Sequence, residues 1–254
     1  MLPIPQSVLR RLAAVRSAGF ITGAGLSAES GIPTYRGQGG IYDDPEEGDR
    51  TIEALTGATF QCDPARTWKA IAELVEKAHG AVPNAGHRAL VAIEHQLEHF
   101  VLLTQNVDGL HQQAGSANVI DIHGTLRDLV CPACSFKSLL DPGPILQAPR
   151  CEECQVIMRP QVVLFGEMLP EHKVQRIATD FYANPPDLVV IAGTSAVFPY
   201  IVEPVRVARQ KGRLTIEVNP EPELEALVDY CIRAPAGIAL PALAETLSAR
   251  TRVD

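Results

Sequence analysis

Four cysteines in two C-x-x-C pairs are the residues whose spacing points most directly to a chemistry. Cys131 and Cys134 form the first pair and Cys151 and Cys154 the second, with residues 135–150 between them. Each pair fits a tight turn that points two thiolates inward, and two such turns complete the tetrahedral shell of a zinc ribbon. Four protein ligands leave no position for water, so the spacing predicts a structural Zn²⁺. The alternative is two redox-active or disulfide-bonded pairs.

A glycine-rich turn at residues 23–28 (GAGLSA) follows a short apolar segment. Where such a turn joins a strand to a helix, its backbone N–H groups can approach a pyrophosphate. Tight turns also need glycine for structural reasons alone, so the motif by itself is weak. The acidic residue that usually binds ribose after the second strand is not evident, because Asp43 and Asp44 fall in a loop. The turn therefore does not predict an ordinary hydride-transfer module.

Polar residues also follow three other apolar segments, at residues 104–108 (TQNVD), 193–195 (GTS) and 218–221 (VNPE). Ligands of an open α/β sheet bind at the carboxyl ends of its strands, so several such clusters together predict a ligand site. Helix caps or turns would explain each cluster taken singly.

One of the seven histidines, His123, stands at the end of an apolar segment just before Gly124. An exposed imidazole there could act as a general base, and a structural role is the alternative. Four others lie on or beside predicted helices, and we expect them to be solvated surface residues: His79, His87, His95 and His99.

The elements that must position these residues alternate between strands and helices. Strands are predicted at residues 19–22, 100–104, 118–122, 187–192 and 214–218. Asp63 and Pro64 begin a predicted helix whose apolar face includes Trp68, and residues 31–50 are predicted to be a long loop. This alternation predicts an α/β fold with a doubly wound parallel sheet, Rossmann-like, and with a small inserted domain.

The composition limits the classes of protein. The 254 residues are 46% hydrophobic, enough for one large domain or a main domain with a smaller insert. The net charge of -8 argues against non-specific binding to nucleic acid or an anionic membrane. Cys62 and Cys231 stand outside the pairs, so no disulfide framework and a reducing cytoplasm are expected. Neither a signal peptide nor a membrane span is predicted; the apolar stretch 188–202 is interrupted by Gly, Thr, Ser and Pro.

The chain resembles the sirtuins, NAD-dependent protein-lysine deacylases, over nearly its whole length. The motifs that carry the resemblance are GAGLSAESGIPTYRG (23–37), TQNVDGLH (104–111), HGTL (123–126), the four cysteines, RPQVVLFGE (159–167), AGTSAVFPY (192–200) and EVNPE (217–221). The FGEML ending looks most like the bacterial branch that includes desuccinylase-type enzymes. We expect an NAD-binding domain from residues 1–40, 85–127 and 159–254, and a small domain from a helical module, 41–84, and the zinc ribbon, 128–158.

The resemblance implies a reaction that consumes NAD⁺, removes the acyl group from a protein lysine, and gives nicotinamide and O-acyl-ADP-ribose. It implies His123 and Asn106 as catalytic residues, with His123 as general base. The residues implied to bind NAD⁺ are Gly23, Ala24, Gly25, Ser27, Ile32, Pro33, Arg36, Tyr42, Gln105, Asn106, Asp108, Gly193, Thr194, Ser195, Asn219 and Ala236. A strand that pairs with the substrate backbone is implied at Val162, Val163, Leu164, Phe165, Gly166 and Glu167.

Two positions on the helix after Asp63 predict which acyl group is preferred. Desuccinylase-type sirtuins carry a Tyr and an Arg three residues apart there, and this chain has Ile71 and Leu74. A carboxylate would lose its hydration without compensation, so acetyl and longer apolar acyl groups are predicted to be preferred. Alternatively, Ile71 and Leu74 face the core of the small domain. Leu164 replaces a common Trp, which would soften one wall of the acyl channel.

Other functions stay open at this point. Desuccinylase or demalonylase activity and mono-ADP-ribosyl transfer would use the same NAD⁺ pocket. A nucleic-acid-binding zinc ribbon is disfavoured, because residues 128–158 carry two Lys or Arg against four Asp or Glu, a net charge of -2. A non-catalytic NAD⁺ sensor is disfavoured by the presence of both His123 and Asn106. The partners expected are acylated lysine-containing proteins, without nucleic acid or membrane, and the chain is expected to be a cytoplasmic monomer.

Overall fold

The computed structural model of the chain describes residues 4–34, 40, 44–141 and 143–249. Its strands, in chain order, are β1 (Ser17–Thr22), β2 (His99–Thr104), β3 (Val119–Asp121), β4 (Gly124–Val130), β5 (Lys137–Leu139), β6 (Arg159–Val162), β7 (Leu188–Ala192), β8 (Leu214–Val218) and β9 (Tyr230–Ile232). Its helices are α1 (Gln6–Ala13), α2 (Ala24–Ser27), α3 (Pro45–Ala54), α4 (Gly57–Cys62), α5 (Pro64–Lys77), α6 (Ala85–Glu94), α7 (Leu110–Ala114), α8 (Glu171–Ile177), α9 (Pro199–Gln210) and α10 (Ala236–Ala249).

Six parallel strands form the main sheet, in the order β3-β2-β1-β7-β8-β9. The strand order reverses between β1 and β7, which is the topological switch point at which doubly wound sheets bind ligands. The strands end level with one another, because one row of paired residues crosses the sheet: Asp121, Thr104, Thr22, Ala192, Val218 and Ile232. The polar segments after these strands therefore meet at one edge, and the predicted fold class is confirmed.

Apolar side chains cover both faces of this sheet. On one face, Leu90 of α6 and Leu240 of α10 join a fully buried cluster with Phe20 of β1. On the other face, Val205 of α9 packs with Phe181, which lies in a short π-helix, Ala178–Ala183. Both faces of a parallel sheet are normally covered in this way, and the strands accordingly read as apolar runs rather than alternating ones.

A second, antiparallel sheet, β5-β4-β6, lies beside helices α4 and α5. Trp68 of α5 is buried and donates its indole N–H to the Met158 carbonyl at 2.7 Å, which ties the helices to the cysteine-bearing segment. β4 begins at Gly124 and β6 ends at Val162, beyond both ends of the predicted ribbon at 128–158. The domain boundaries stay a prediction.

The loop predicted at residues 31–50 was wrong in its last part, because α3 begins at Pro45. The Asp44 carboxylate caps this helix by accepting hydrogen bonds from the N–H groups of Glu46 and Glu47. Proline at the first helical position follows the usual preference, and the acidic first turn suits the helix dipole. Among the helices of the described residues, none combines the length and the apolar character needed to cross a membrane.

Candidate active site

The turns after β1 and β7 touch each other at the switch point. The Gly25 N–H donates to the Gly193 carbonyl at 2.8 Å, and the Gly23 N–H donates to the Ala192 carbonyl at 3.2 Å. A Cβ atom on Gly25 would lie 2.8 Å from Gly193 Cα, and Gly193 has a φ of 60°, a left-handed conformation that favours glycine. Backbone without side chains therefore forms this part of the crevice.

Three polar side chains form a hydrogen-bonded chain beside the glycine turn. The Asn106 amide donates to the Gly23 carbonyl and to Ser27 Oγ, both at 3.1 Å. The Ser27 hydroxyl donates to Asp108 Oδ2 at 2.7 Å, and Asp108 Oδ1 accepts from the Leu110 N–H at 2.9 Å. The segments after β1 and β2 are thus held together through groups that are half-buried or buried.

A second set of contacts joins the segments after β2, β7 and β8. The Gln105 amide donates to Thr194 Oγ1 at 2.9 Å, and the Asn219 amide donates to the Thr194 carbonyl at 3.2 Å. Ser195 is exposed, whereas Ala236 is buried at the start of α10. The structure brings these predicted residues to the same edge of the sheet as the glycine turn.

The predicted NAD-binding residues between α2 and α3 are only partly described. Ile32 and Pro33 are half-buried, and the Ile32 N–H donates to the Ser27 carbonyl at 3.3 Å. Arg36 and Tyr42 lie outside the described residues.

His123 follows β3, and both of its ring nitrogens have partners. Nδ1 lies 3.0 Å from the Gln105 carbonyl oxygen and Nε2 lies 2.6 Å from the Tyr200 hydroxyl. Burial lowers the pKa of His123, the hydrogen bond to Gln105 opposes this shift, and the charge of Lys173 adds to it. The ring is therefore neutral at neutral pH, which is the state that a general base requires.

The predicted substrate strand continues from β6 and is braced from two sides. Its Phe165 N–H donates to the Leu55 carbonyl, and its Phe165 carbonyl accepts from the Gly57 N–H, both at 3.0 Å. Glu167 accepts two hydrogen bonds from Arg159, at 2.7 and 2.5 Å. Burial raises the pKa of Glu167, but Arg159 and the Leu164 N–H together outweigh this and the net pKa is lowered, so the pair is ionised. These contacts hold the segment up to Phe165, and the chain turns at Gly166, which has a φ of 81°.

The four paired cysteines come together in space. Their Sγ atoms lie within 4.8 Å of one another, with separations of 3.4 Å for Cys131–Cys154 and 3.5 Å for Cys134–Cys151. A tetrahedron of thiolates around Zn²⁺, with Zn–S near 2.3 Å, has edges of about 3.8 Å, whereas a disulfide is about 2.05 Å long. The donor set therefore fits a tetrahedral thiolate-binding metal and not disulfides.

The two C-x-x-C turns share one backbone pattern. The N–H of Ser135 donates to the Cys131 carbonyl at 3.0 Å, and the N–H of Gln155 donates to the Cys151 carbonyl at 2.9 Å. Ser135 and Gln155 have φ values of 61° and 62°, although neither is glycine. This matched geometry aims both pairs of thiols at a common point.

A model of the Sir2 family matches residues 23–199 of this chain. The chain belongs to the Sir2 family. It is 47% identical over 205 residues to "NAD-dependent protein deacylase 2" of Pseudomonas aeruginosa, covering 79% of this chain and 80% of the relative. It is 39% identical over 205 residues to "NAD-dependent protein deacetylase" of Bacillus anthracis, covering 79% of this chain and 81% of that relative.

Solved structures of the family have the same fold as this Sir2 chain. A Sir2 homologue in complex with NAD aligns with a TM-score of 0.82 and 36% identity over 97% of this chain and 94% of the other. A Sir2 protein bound to a myristoylated histone peptide aligns with a TM-score of 0.77 and 27% identity over 98% of each chain.

The proposed acyl-pocket residues of this Sir2 chain belong to one apolar cluster. Ile71 and Leu164 are inside it, 2% and 4% exposed, together with Trp68 and Met158. Leu74 and Val162 pack against it from its edge. The structure thus brings the predicted pocket residues together, and their role toward an acyl group stays a prediction.

The prediction that His87 is solvated was wrong, because this Sir2 chain buries it completely. Its Nδ1 accepts a hydrogen bond from the Asn84 N–H at 3.3 Å, which closes a capping box at the start of α6. Its ring centroid lies 4.9 Å from that of His111, whose Nε2 is 2.9 Å from Thr22 Oγ1. Helical periodicity did not distinguish a buried polar ring that caps its own helix from a solvated one.

Several residues that contact the site were not predicted. Tyr200 on α9 reaches His123, and the Asn84 amide donates to the Leu26 carbonyl at 2.7 Å, holding the glycine turn. Lys173 on α8 donates to the Asp121 carbonyl at 2.7 Å, two residues before His123. Tyr200 ends the AVFPY motif, which was the available signal. The other contacts join residues far apart in the chain.

Proposed function

We propose that this chain removes acyl groups from protein lysines and consumes NAD⁺, releasing nicotinamide and O-acyl-ADP-ribose. The observation that carries the proposal is the half-buried, neutral His123 imidazole at the edge of the sheet that also holds the glycine turn and the Asn106–Ser27–Asp108 chain. The deacylase and deacetylase names of the relatives, and the NAD and acyl-peptide complexes of the family, support the same reaction.

NAD⁺ would occupy the crevice at the switch point. When bound, it supplies the ribose that accepts the acyl group and the nicotinamide that leaves. The close contact of Gly25 with Gly193 supports this position, because backbone without side chains lets a pyrophosphate approach closely. Asn106 and Asp108 would face the nicotinamide side, with their orientation set by Ser27. Thr194 and Asn219, joined by a hydrogen bond, would line the adenosine side.

His123 would act as the general base. The Gln105 carbonyl can only accept a hydrogen bond, so Nδ1 carries the ring proton and Nε2 carries the basic lone pair. Nε2 would take the proton of the attacking ribose hydroxyl. Since buried surroundings lower the pKa of His123, the ring stays neutral and available in the physiological range.

An apolar acyl group fits the small-domain cluster better than a charged one. Arg159 lies over the Phe60 ring in this region, 5.7 Å from its centroid. Its guanidinium is already bound to Glu167 through two hydrogen bonds, so it is not free to receive a succinyl carboxylate. Ile71 and Leu74 would meet an aliphatic chain, with a gain of about 0.8 kcal/mol for each buried methylene. We propose acetyl and longer apolar acyl-lysines as substrates.

One experiment tests both levels of this proposal. Initial rates would be measured with NAD⁺ and one peptide that carries acetyl-, butyryl-, myristoyl- or succinyl-lysine. His123→Ala should lower turnover on the order of 10²-fold or more, whereas His95→Ala, at an exposed histidine, should not. Near-normal turnover by folded His123→Ala would refute the general base. Equal efficiency on succinyl-lysine would refute the acyl preference alone, and nicotinamide release without an acyl peptide would favour ADP-ribosyl transfer.

The cysteine cluster would hold one structural Zn²⁺. All four ligands are protein thiols, so the ion would support folding rather than touch the substrate. We also propose a cytoplasmic location, since the six cysteines, all within the described residues, form no disulfide. Acylated lysine-containing proteins would be the partners, and the monomeric state stays a prediction.

A further inference from the structure

The hydroxyl of Tyr200 occupies the nitrogen that the general base needs. Tyr200 lies in the first turn of α9, and its oxygen is 2.6 Å from His123 Nε2. Its ring stacks on Phe198, with centroids 5.4 Å apart and an interplanar angle of 16°. Both aromatic rings meet the imidazole edge-on at 6.0 Å. The contact is therefore part of a packed aromatic group.

The direction of this hydrogen bond follows from the other side of the ring. Nδ1 must carry the proton, because its partner is the Gln105 carbonyl. Nε2 is then an acceptor only, so the Tyr200 O–H donates to it. Burial raises the pKa of Tyr200 to about 12, so the phenol keeps its proton across the working range. In the free enzyme, the basic lone pair of His123 is taken.

We infer that Tyr200 is a positioning residue that covers the lone pair of His123 in the free enzyme and is replaced there by the ribose hydroxyl when NAD⁺ binds. The inference rests on the proposed role of His123. One lone pair accepts one strong hydrogen bond, so Tyr200 and the ribose hydroxyl cannot both donate to Nε2. The enzyme thus holds His123 in the correct tautomer before the substrate arrives. The affinity for NAD⁺ is lowered in return, because the Tyr200 hydrogen bond must break when the ribose hydroxyl binds.

Other polar and charged groups around His123 are not altered when the Tyr200 hydroxyl is removed. Lys173 of α8 is bound to the Asp121 carbonyl at 2.7 Å and to its carboxylate at 2.8 Å. The Gln105 carbonyl stays on Nδ1. Tyr200→Phe also keeps the ring that stacks on Phe198. The substitution therefore isolates the O–H···Nε2 contact.

The test measures the affinity of the free enzyme for ADP-ribose by titration calorimetry, and kcat and KM for NAD⁺ with saturating acetyl-peptide. Tyr200→Phe should bind ADP-ribose roughly 2- to 10-fold more tightly, the range for one net hydrogen bond. KM for NAD⁺ should fall by a similar factor, with kcat unchanged, because Tyr200 has left Nε2 in the complex. Tyr182→Phe is the matched control; its backbone carbonyl contacts Lys211, at the opposite end of α9, and no change is expected.

Unchanged or weaker ADP-ribose binding would overturn the inference, as would a fall in kcat, which would put Tyr200 in the chemical step itself. A second measurement is the ¹⁵N chemical shift of His123 Nε2, assigned by its loss in His123→Ala. Wild type and Tyr200→Phe should differ when free and coincide with ADP-ribose bound; a difference that persists would overturn the inference. If His123→Ala retains turnover, the general-base proposal fails, whatever the shifts show about Tyr200.

Discussion

The buried pair His87 and His111 predicts a loss of stability in mild acid. His111 is 1% exposed, and burial, together with the neighbouring His87, lowers its pKa from 6.5 to about 3. Burial also lowers the pKa of His87. Within the described residues, His87 Nε2 and His111 Nδ1 have no hydrogen-bond partner. The charge of Asp108 opposes the shift of the His87 pKa and that of Arg88 adds to it, but burial is the largest effect and the net pKa is lowered.

The sign and size follow from proton linkage. Well above pH 6.5 both rings are neutral in the folded and unfolded chain, so His111 makes no pH-dependent difference there. Below that pH the unfolded chain binds a proton that the folded chain does not. The free energy of unfolding should then fall by about 1.4 kcal/mol per pH unit for His111 alone. Between pH 6.5 and pH 5 this amounts to about 2 kcal/mol, and His87 adds to it in the same direction.

The assay is urea unfolding at several pH values between 7.5 and 5, with the slope of the unfolding free energy against pH as the readout. Relative to wild type, His111→Gln should reduce the slope below pH 6.5 by the amount that corresponds to about one bound proton. His95→Gln, at an exposed residue, is the matched control and should leave the slope unchanged. All of these variants keep the same cysteines, so any metal lost in acid contributes equally to each slope and cancels in the comparison. A slope that His111→Gln does not change would refute the reasoning.

Three further predictions concern the crevice, the metal and the base. Gly193→Ala should abolish NAD⁺ binding and lower the free energy of unfolding by about 1–3 kcal/mol, because the added Cβ would lie 2.5 Å from the backbone of the glycine turn. Gly212 has a similar φ but open space around it, so Gly212→Ala should lower the free energy of unfolding by less, as measured by chemical unfolding. Cys151→Ser should abolish stoichiometric zinc by metal analysis and raise protease sensitivity, and retention of one zinc would contradict the site. Lys173→Met removes a charge that lowers the pKa of His123, so the acid limb of kcat should move to higher pH, and an opposite or absent shift would contradict this.

Much of the main sheet was predictable from local pattern. The strand predicted at residues 214–218 has the observed bounds, and the one at 187–192 is one residue longer than β7. Strands buried on both faces are continuous apolar runs ended by polar or glycine residues, which a short window of sequence reveals. The helix after Asp63 was equally clear from the sequence, because Asp followed by Pro is a common helix start. In the structure the Asp63 carboxylate accepts a hydrogen bond from the Arg66 N–H at 3.1 Å. The α3 helix was not predicted, because its charged sequence has little apolar periodicity.

Local pattern could not settle the surroundings of single polar side chains. His87 and His95 both lie near α6, yet one is buried against His111 and the other is exposed. The difference depends on α7, which is distant in sequence. In the same way, Leu164 is inside the small-domain core while Phe165, its neighbour beyond the end of β6, is 38% exposed, and contacts with distant residues set this difference.

The sequence by itself determined the chemistry that the chain carries: two pairs of thiols, a glycine turn, and polar groups at the ends of parallel strands. These depend on residue type and short spacing, which folding does not change. The tertiary structure alone decided which groups meet. His123 finds Gln105 and Tyr200, 18 and 77 residues away, and these contacts set its tautomer and cover its lone pair. Such pairings arise because level strand ends bring separate segments to one edge, a relation that no local window of residues contains.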